Sequence, residues 1–147
     1  MKVFHELIPI KTQECLQFVD LTDIIIKLVE KSQIQNGFVN VQTKHTTTAI
    51  VINENEPLLL EDMKKILESM VPQDAVYRHN DFSIRTVNLG PDEYDNGHSH
   101  CKAMLLRASE TLNIVNGQIQ LGPWQRIFFI ELDRARERTV SVMILGL

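Results

Sequence analysis

Five histidines punctuate this chain, His5, His45, His79, His98 and His100. All but His5, which lies inside an opening strand, fall in or beside polar stretches at the ends of regular elements, where rigid scaffolds commonly place functional side chains. Imidazole changes charge near neutral pH and is the commonest metal ligand. In 95-DNGHSHCKAMLL-106, His98 and His100 sit two apart, behind an Asn-Gly turn signal and ahead of an apolar run. A helix beginning near Ser99 would point free N–H groups at whatever precedes it, which attracts anions such as phosphate and disfavours protonated imidazole. The two rings are therefore expected to work as neutral donors, bases or ligands. The H-x-H spacing lacks the helical spacing of H-E-x-x-H and alone says little about metal.

His45 opens 45-HTTTAIVINENE-56, where Thr46 and Thr47 add hydroxyls and the far end carries Glu54 and Glu56. Carboxylates at a strand end suit a hard cation or proton transfer, and equally suit capping the helix that Pro57 begins. His79 lies in 77-YRHND-81 with Asp81 close by. Trp124 is the only tryptophan, and Gln125 follows it. Glu131, inside an apolar strand, either faces solvent or is held by Arg134, Arg136 or Arg138. Arginines two apart can fork on a phosphate or carboxylate, but the plainer expectation is a charged strand edge that blocks aggregation. Cys15 and Cys101 form no C-x-x-C pair. They fit a reducing cytoplasm and the usual role of cysteine as a small buried residue.

The elements that must position these groups follow from periodicity. Strands are expected over 2–10 and 14–20, and a helix over 22–33 with Ile24, Ile25, Leu28 and Val29 as its apolar face, capped by Thr22 or Asp20. The β-formers of 37–54 read as two strands, or one with a bulge near Lys44 and His45. A second helix runs 57–71, striped by Leu59, Met63, Ile66, Leu67 and Met70 and ended by Pro72. Residues 73–99 are polar and irregular apart from an extended 82–89, and a long irregular stretch in a small domain is commonly functional. A helix over 100–109 and strands over 110–117, 118–122, 125–133 and 138–146 complete the chain, with Asn116-Gly117 as a hairpin turn. The architecture is α+β: mainly antiparallel, sandwich-like sheet with two to three packed helices, as a single domain over 1–147.

At 147 residues the chain can bury a core without staples. A net charge of −4 lacks the basic footprint that nucleic-acid partners demand. No apolar run approaches the length of a membrane span. The start, MKVFHELIPIK, does not read as a signal peptide, so a cytoplasmic location is expected.

Taken in order, 45-HTTTAI-50, 53-NE-54, His79, 96-NGHSH-100, 121-LGPWQ-125, Glu131 and 136-RER-138 resemble the YjbQ family, named for secondary thiamine-phosphate synthase activity. The match spans nearly the whole chain. The resemblance implies a small α+β subunit, usually a homotrimer, with a histidine-rich site near subunit boundaries to which His45, Glu54, His79 and His100 correspond. One departure stands out: relatives commonly read E-x-D-G-P-R where this chain has 131-ELDRAR-136. That replaces a Gly-Pro turn and makes Arg134 a poor carrier of any inherited role.

The implied reaction joins a pyrimidine pyrophosphate to a thiazole phosphate and releases pyrophosphate. The leaving group needs cations or N–H donors to spread its charge, and the thiazole nitrogen needs positioning more than activation. His45, Glu54 and His100 are the expected catalytic groups. Thr46, Thr47, His98, Trp124, Gln125 and Arg138 are expected to bind substrate or anion. A divalent metal would sit on His45, His79 and His100 if zinc, or on Glu54, Glu56 and Asp81 if magnesium. No Gly-rich phosphate loop is present, which together with the word "secondary" makes the synthase reaction a side activity on this reading. The alternative is a non-catalytic trimeric module that binds metal or an anion through interface histidines.

Overall fold

The computed structural model describes the whole chain, Met1–Leu147. Its elements are β1 (Lys2–Lys11), β2 (Gln17–Asp20), α1 (Thr22–Ser32), β3 (Gly37–Thr43), β4 (Thr48–Asn53), α2 (Pro57–Met70), a 3-10 turn (Arg78–Asn80), α3 (Gly97–Leu105), β5 (Ser109–Val115), β6 (Gln118–Ile119), β7 (Arg126–Glu131) and β8 (Glu137–Gly146). All strand pairs are antiparallel, in a five-stranded sheet of order β1-β8-β3-β5-β6 and a three-stranded sheet of order β2-β7-β4. The fold is α+β, as the patterning indicates.

Alternation builds the core. Val39 and Val41 of β3 and Val140, Val142 and Ile144 of β8 face inward from the larger sheet, meeting Ile50, Ile127 and Phe129 of the smaller one. In β3 and β8 every second residue is buried because the side-chain period is two, whereas β7, covered on both faces, buries Ile127–Glu131 without a break. Helix α1 closes the layer through Leu21, Ile25 and Val29, whereas Ile24 is exposed. Asp20 accepts the Thr22 N–H at 2.9 Å and the Thr22 hydroxyl at 2.6 Å, steadying the start of α1. A second, smaller core of Ala49, Phe128, Ile130 and Leu132 lies on the other face of the three-stranded sheet.

Several boundaries differ from the periodicity reading. The second strand covers only Gln17–Asp20, because Leu16 takes a left-handed φ of 56° and ends the turn before it. The long β-forming stretch breaks at 44–47, so β3 and β4 are separate strands in different sheets. Residues 82–89 contain no strand. The Asp81 carboxylate accepts the Ser83 N–H and hydroxyl, forcing a turn. Arg85 then donates to the carbonyls of Val87, Asn88 and His79 and to Glu93, gathering the loop around one guanidinium. Of the stripe expected on α2, only Leu67 is buried, while Ile66 and Met70 stay 58% and 61% exposed. Pro57 occupies the first turn of that helix, and the Glu56 carboxylate caps it by accepting the N–H groups of Leu58 and Leu59.

Candidate functional site

Helix α3 starts at Gly97, so His98, Ser99 and His100 form its first turn instead of preceding it. The early start has a local cause. Gly97 donates its N–H to Asn80 Oδ1 at 2.9 Å, and its missing Cβ admits Tyr77, whose own Cβ would lie 2.5 Å from one. This close approach seats the 3-10 turn against α3 and brings His79 onto His100, ring centroids 4.7 Å apart and edge to face.

His45 follows β3 and meets the same region from the sheet side. The backbone N–H of Thr139 in β8 donates to His45 Nε2 at 2.8 Å. Accepting that bond obliges Nε2 to be unprotonated, so the neutral ring carries its proton on Nδ1. His45, Thr46, Thr48, His100 and Met104 line one cleft of about 360 Å³. Burial pushes the His45 pKa below the ordinary histidine value, with Arg138 and Arg136 acting in the same direction. Burial also lowers that of His100, assisted by His79 and opposed by Asp133. Both rings are thus neutral at physiological pH, one a fixed donor and the other free to accept.

Glu54 does not join them. It lies just past the C-terminal end of β4 while His45 lies before its start; six residues at about 3.3 Å each separate the two ends by roughly 20 Å. Glu54 instead shares a cleft of about 230 Å³ with Trp124, Asp20, Asn55 and Arg126. The expected trio is therefore divided between the two ends of one strand.

Other expected binding residues turn out to be committed elsewhere. His98 is buried beneath α3, where Lys102 Nζ lies 3.3 Å from its Nδ1; burial, then Lys102, lower its pKa. Arg138 is buried and forks on Glu131 at 2.6 and 2.8 Å, with its second arm also on Thr47 Oγ1 at 2.9 Å. His98 and Thr47 are buried among these partners, and Arg138 cannot bind an anion without abandoning Glu131. Glu131 itself is no edge charge, since β7 is the central strand of its sheet. Its Oε2 also accepts the Thr12 hydroxyl, and its Oε1 the Asp133 N–H. Gln125 spends its amide oxygen on the Gly122 N–H, holding the turn that presents Trp124. Both cysteines are half-buried instead of core residues; burial raises the Cys15 pKa.

No group of three His, Cys, Asp or Glu side chains converges within the chain to hold a metal. For His45 the reason is explicit: Thr139 takes the Nε2 lone pair, leaving Nδ1 protonated, and a metal ligand must offer a lone pair. The three carboxylates suited to magnesium are also dispersed. Glu56 caps α2, Asp81 ties the 82–89 loop, and Glu54 faces the Trp124 cleft. Neither metal set fits.

Lys102, Glu68 and Asp133 escaped the sequence reading. The Lys102 side chain is wholly buried and pairs with Glu68 of α2 at 2.9 Å. A lysine four residues after His98 on one helix face was the available signal. Asp133, also buried, accepts from Arg134 and Arg136 at 3.3 and 3.2 Å. Arg134 stacks over Tyr94 at 4.3 Å, so the residue that replaces the expected glycine braces the loop beside the histidines.

Comparison with known proteins bears on this arrangement. The family model described as "UPF0047 protein YjbQ-like" matches residues 6–147. The chain belongs to the YjbQ/UPF0047 family. A UPF0047 protein of Methanothermobacter thermautotrophicus is 40% identical over 146 residues, covering 99% of this chain and 94% of that one. YugU of Bacillus subtilis, also a UPF0047 protein, is 29% identical, with 93% and 96% covered. Among solved structures, a "YbjQ-like protein of unknown function" from Sulfolobus solfataricus superposes with a TM-score of 0.88 at 35% identity, covering 99% of both chains. A YjbQ/UPF0047 protein from Clostridium acetobutylicum gives 0.83 at 34%, covering 95% of this chain and 99% of that one. The two solved structures share the fold over nearly the whole chain.

No helix is long and apolar enough to cross a membrane.

Proposed function

We propose that this YjbQ-family chain is a small-molecule transferase acting on phosphorylated heterocycles, of the kind that couples a pyrimidine pyrophosphate to a thiazole phosphate with release of pyrophosphate. The observation that carries the reading is the pairing, in one cleft, of His45 as a tautomer-locked Nδ1–H donor with His100 as a neutral ring whose pKa is depressed. A neutral donor aimed at a phosphate oxygen stabilises developing charge without needing to change protonation state. Arg136 and Arg138, whose charges already act on His45, make the surroundings favourable to an anion. His100 is the group to accept or return a proton, and His79, packed against it, discourages a second charge on the pair. Thr46 supplies a hydroxyl on the cleft wall.

Homotrimeric assembly belongs to the same reading. Val76, Phe82, Ile84, Val87 and Met104 are exposed near the histidine end, apolar side chains that contact between copies would cover. Their burial between copies would enclose the cleft and exclude water.

The test is release of pyrophosphate from the paired substrates by purified protein and its variants. His100→Ala is expected to lower the rate by about 10²–10⁴-fold, the range for a positioned proton-transfer group, with the melting temperature and assembly retained. His45→Ala should raise KM as well as lower kcat, because it removes an anion donor. If both variants turn over normally, or if either changes only the assembly, the non-catalytic anion-binding module replaces the enzyme.

A further inference from the structure

The second cleft, at the opposite end of β4, has a chemistry of its own. The indole of Trp124 is 72% exposed, and the turn that carries it is braced. The Gly122 N–H donates to Gln125 Oε1 at 2.8 Å, the Gln125 N–H donates to the Gly122 carbonyl at 3.1 Å, and Pro123 stiffens the turn between them. A braced turn fixes where the aromatic side chain leaves the backbone, so little backbone freedom is lost when something stacks on it. Trp124 forms a wall of the same cleft as Glu54, Asp20, Asn55 and Arg126.

The charges in that cleft are sorted. Asp20 is saturated: its Oδ1 takes both Thr22 bonds, and its Oδ2 accepts Arg126 Nε at 2.8 Å and Asn55 Nδ2 at 3.1 Å. The other arm of Arg126 is on Asp23 at 3.1 Å. One guanidinium therefore has its single charge shared between two carboxylates. The Glu54 carboxylate, half-buried in the same cleft, enters no ion pair and receives no hydrogen bond. It is the one open carboxylate in the cleft, and the balance of the lining, two carboxylates against one guanidinium, is negative.

We infer that the Trp124–Glu54 cleft is a second binding subsite, selective for a planar organic cation or amine-bearing ring of single-ring size. Trp is the strongest cation–π partner among the side chains, and Glu54 supplies the matching acceptor for an N–H at the ring edge. A volume of about 230 Å³ admits one ring and not a nucleotide. The sign is the reverse of that at the histidine end, which receives anions. The subsite thus goes beyond the reading given above and can fail without it.

Because Trp124 is the only tryptophan, its fluorescence reports on this cleft alone. Titration of the intact protein with benzamidinium is expected to give a saturable change. Benzyl alcohol, neutral and of similar size, should bind about fivefold more weakly, the increment of one exposed cation–π contact, and benzoate should give no saturable response. Glu54→Gln should weaken benzamidinium by a similar factor while leaving the melting temperature unchanged. Trp124→Ala, followed by ligand-observed NMR, should abolish the preference for the cation. Equal responses to benzamidinium and benzyl alcohol would overturn the inference, as would an unaltered Glu54→Gln titration. So would emission already blue-shifted and closed to acrylamide, which would mean the indole is covered by another copy. Phosphate perturbation of the His45 and His100 ring resonances, measured on the same samples, keeps the two sites apart: its loss speaks only against the histidine end.

Discussion

Glu131 and Arg138 have side chains 0% and 3% exposed and face each other through two short bonds. Removing one partner strands the other charge in a dry interior, which costs about 3–5 kcal/mol in comparable buried pairs. Arg138→Leu is accordingly expected to lower the urea midpoint sharply, and Glu131→Gln to do so less, since the single amide oxygen still accepts on one side, from Asp133 or from Thr12 but not from both. At the histidines, the consequence of depressed pKa values is a sign. His45, His98 and His100 all hold their folded-state pKa below the ordinary 6.5, so below that pH the unfolded chain binds more protons than the folded one. Their contribution to stability is complete above pH 6.5 and is lost as pH falls toward the folded-state values. Thermal melts from pH 7.5 to 5 should show a falling midpoint, and His100→Asn should flatten part of the slope. Ring-proton NMR should place the His100 titration below the exposed-imidazole range.

Element by element, α3 is the piece on which the histidine end depends, and Gly97 is the reason it begins where it does. A methyl group there would meet the Tyr77 side chain. Gly97→Ala is expected to cost about 1–3 kcal/mol through overpacking and to push the 3-10 turn away, parting His79 from His100. Loss of the mutual shift in their ring resonances would report it. Helices and strands were legible wherever one periodicity ran long enough, as in α1, β3 and β8. Position 131 was misread because an acidic residue in an apolar run looks alike whether it meets water or a buried arginine seven residues on. Residues 82–89 were misread because β-propensity cannot foresee that Asp81 and Arg85 tie the backbone into turns. The histidines as a group were legible by type, and His79 and His100 do meet. That His45 and Glu54 part company was legible too in principle, since a strand of known rise must hold its two ends apart, but it requires knowing that β4 stops at Asn53.

At the scale of the whole molecule, the exposed apolar residues of 73–96 together with Ile66, Met70 and Met104 make a prediction about assembly. Light scattering on size-exclusion fractions should give the mass of a trimer, and Met104→Glu should shift it toward the 16.9 kDa monomer. A monomer mass for the unmodified chain would remove the proposed enclosure of the cleft. The Glu131–Arg138 pair has a reach that extends past stability. It crosses from β7 to β8 and so rivets one sheet to the other, and the residue directly after the rivet, Thr139, supplies the N–H that sets which nitrogen of His45 is protonated. Mechanical integrity and proton placement are therefore wired in series. A lesion at the rivet should announce itself first as an imidazole that swaps its proton between nitrogens, with the chain still folded, and only later as unfolding.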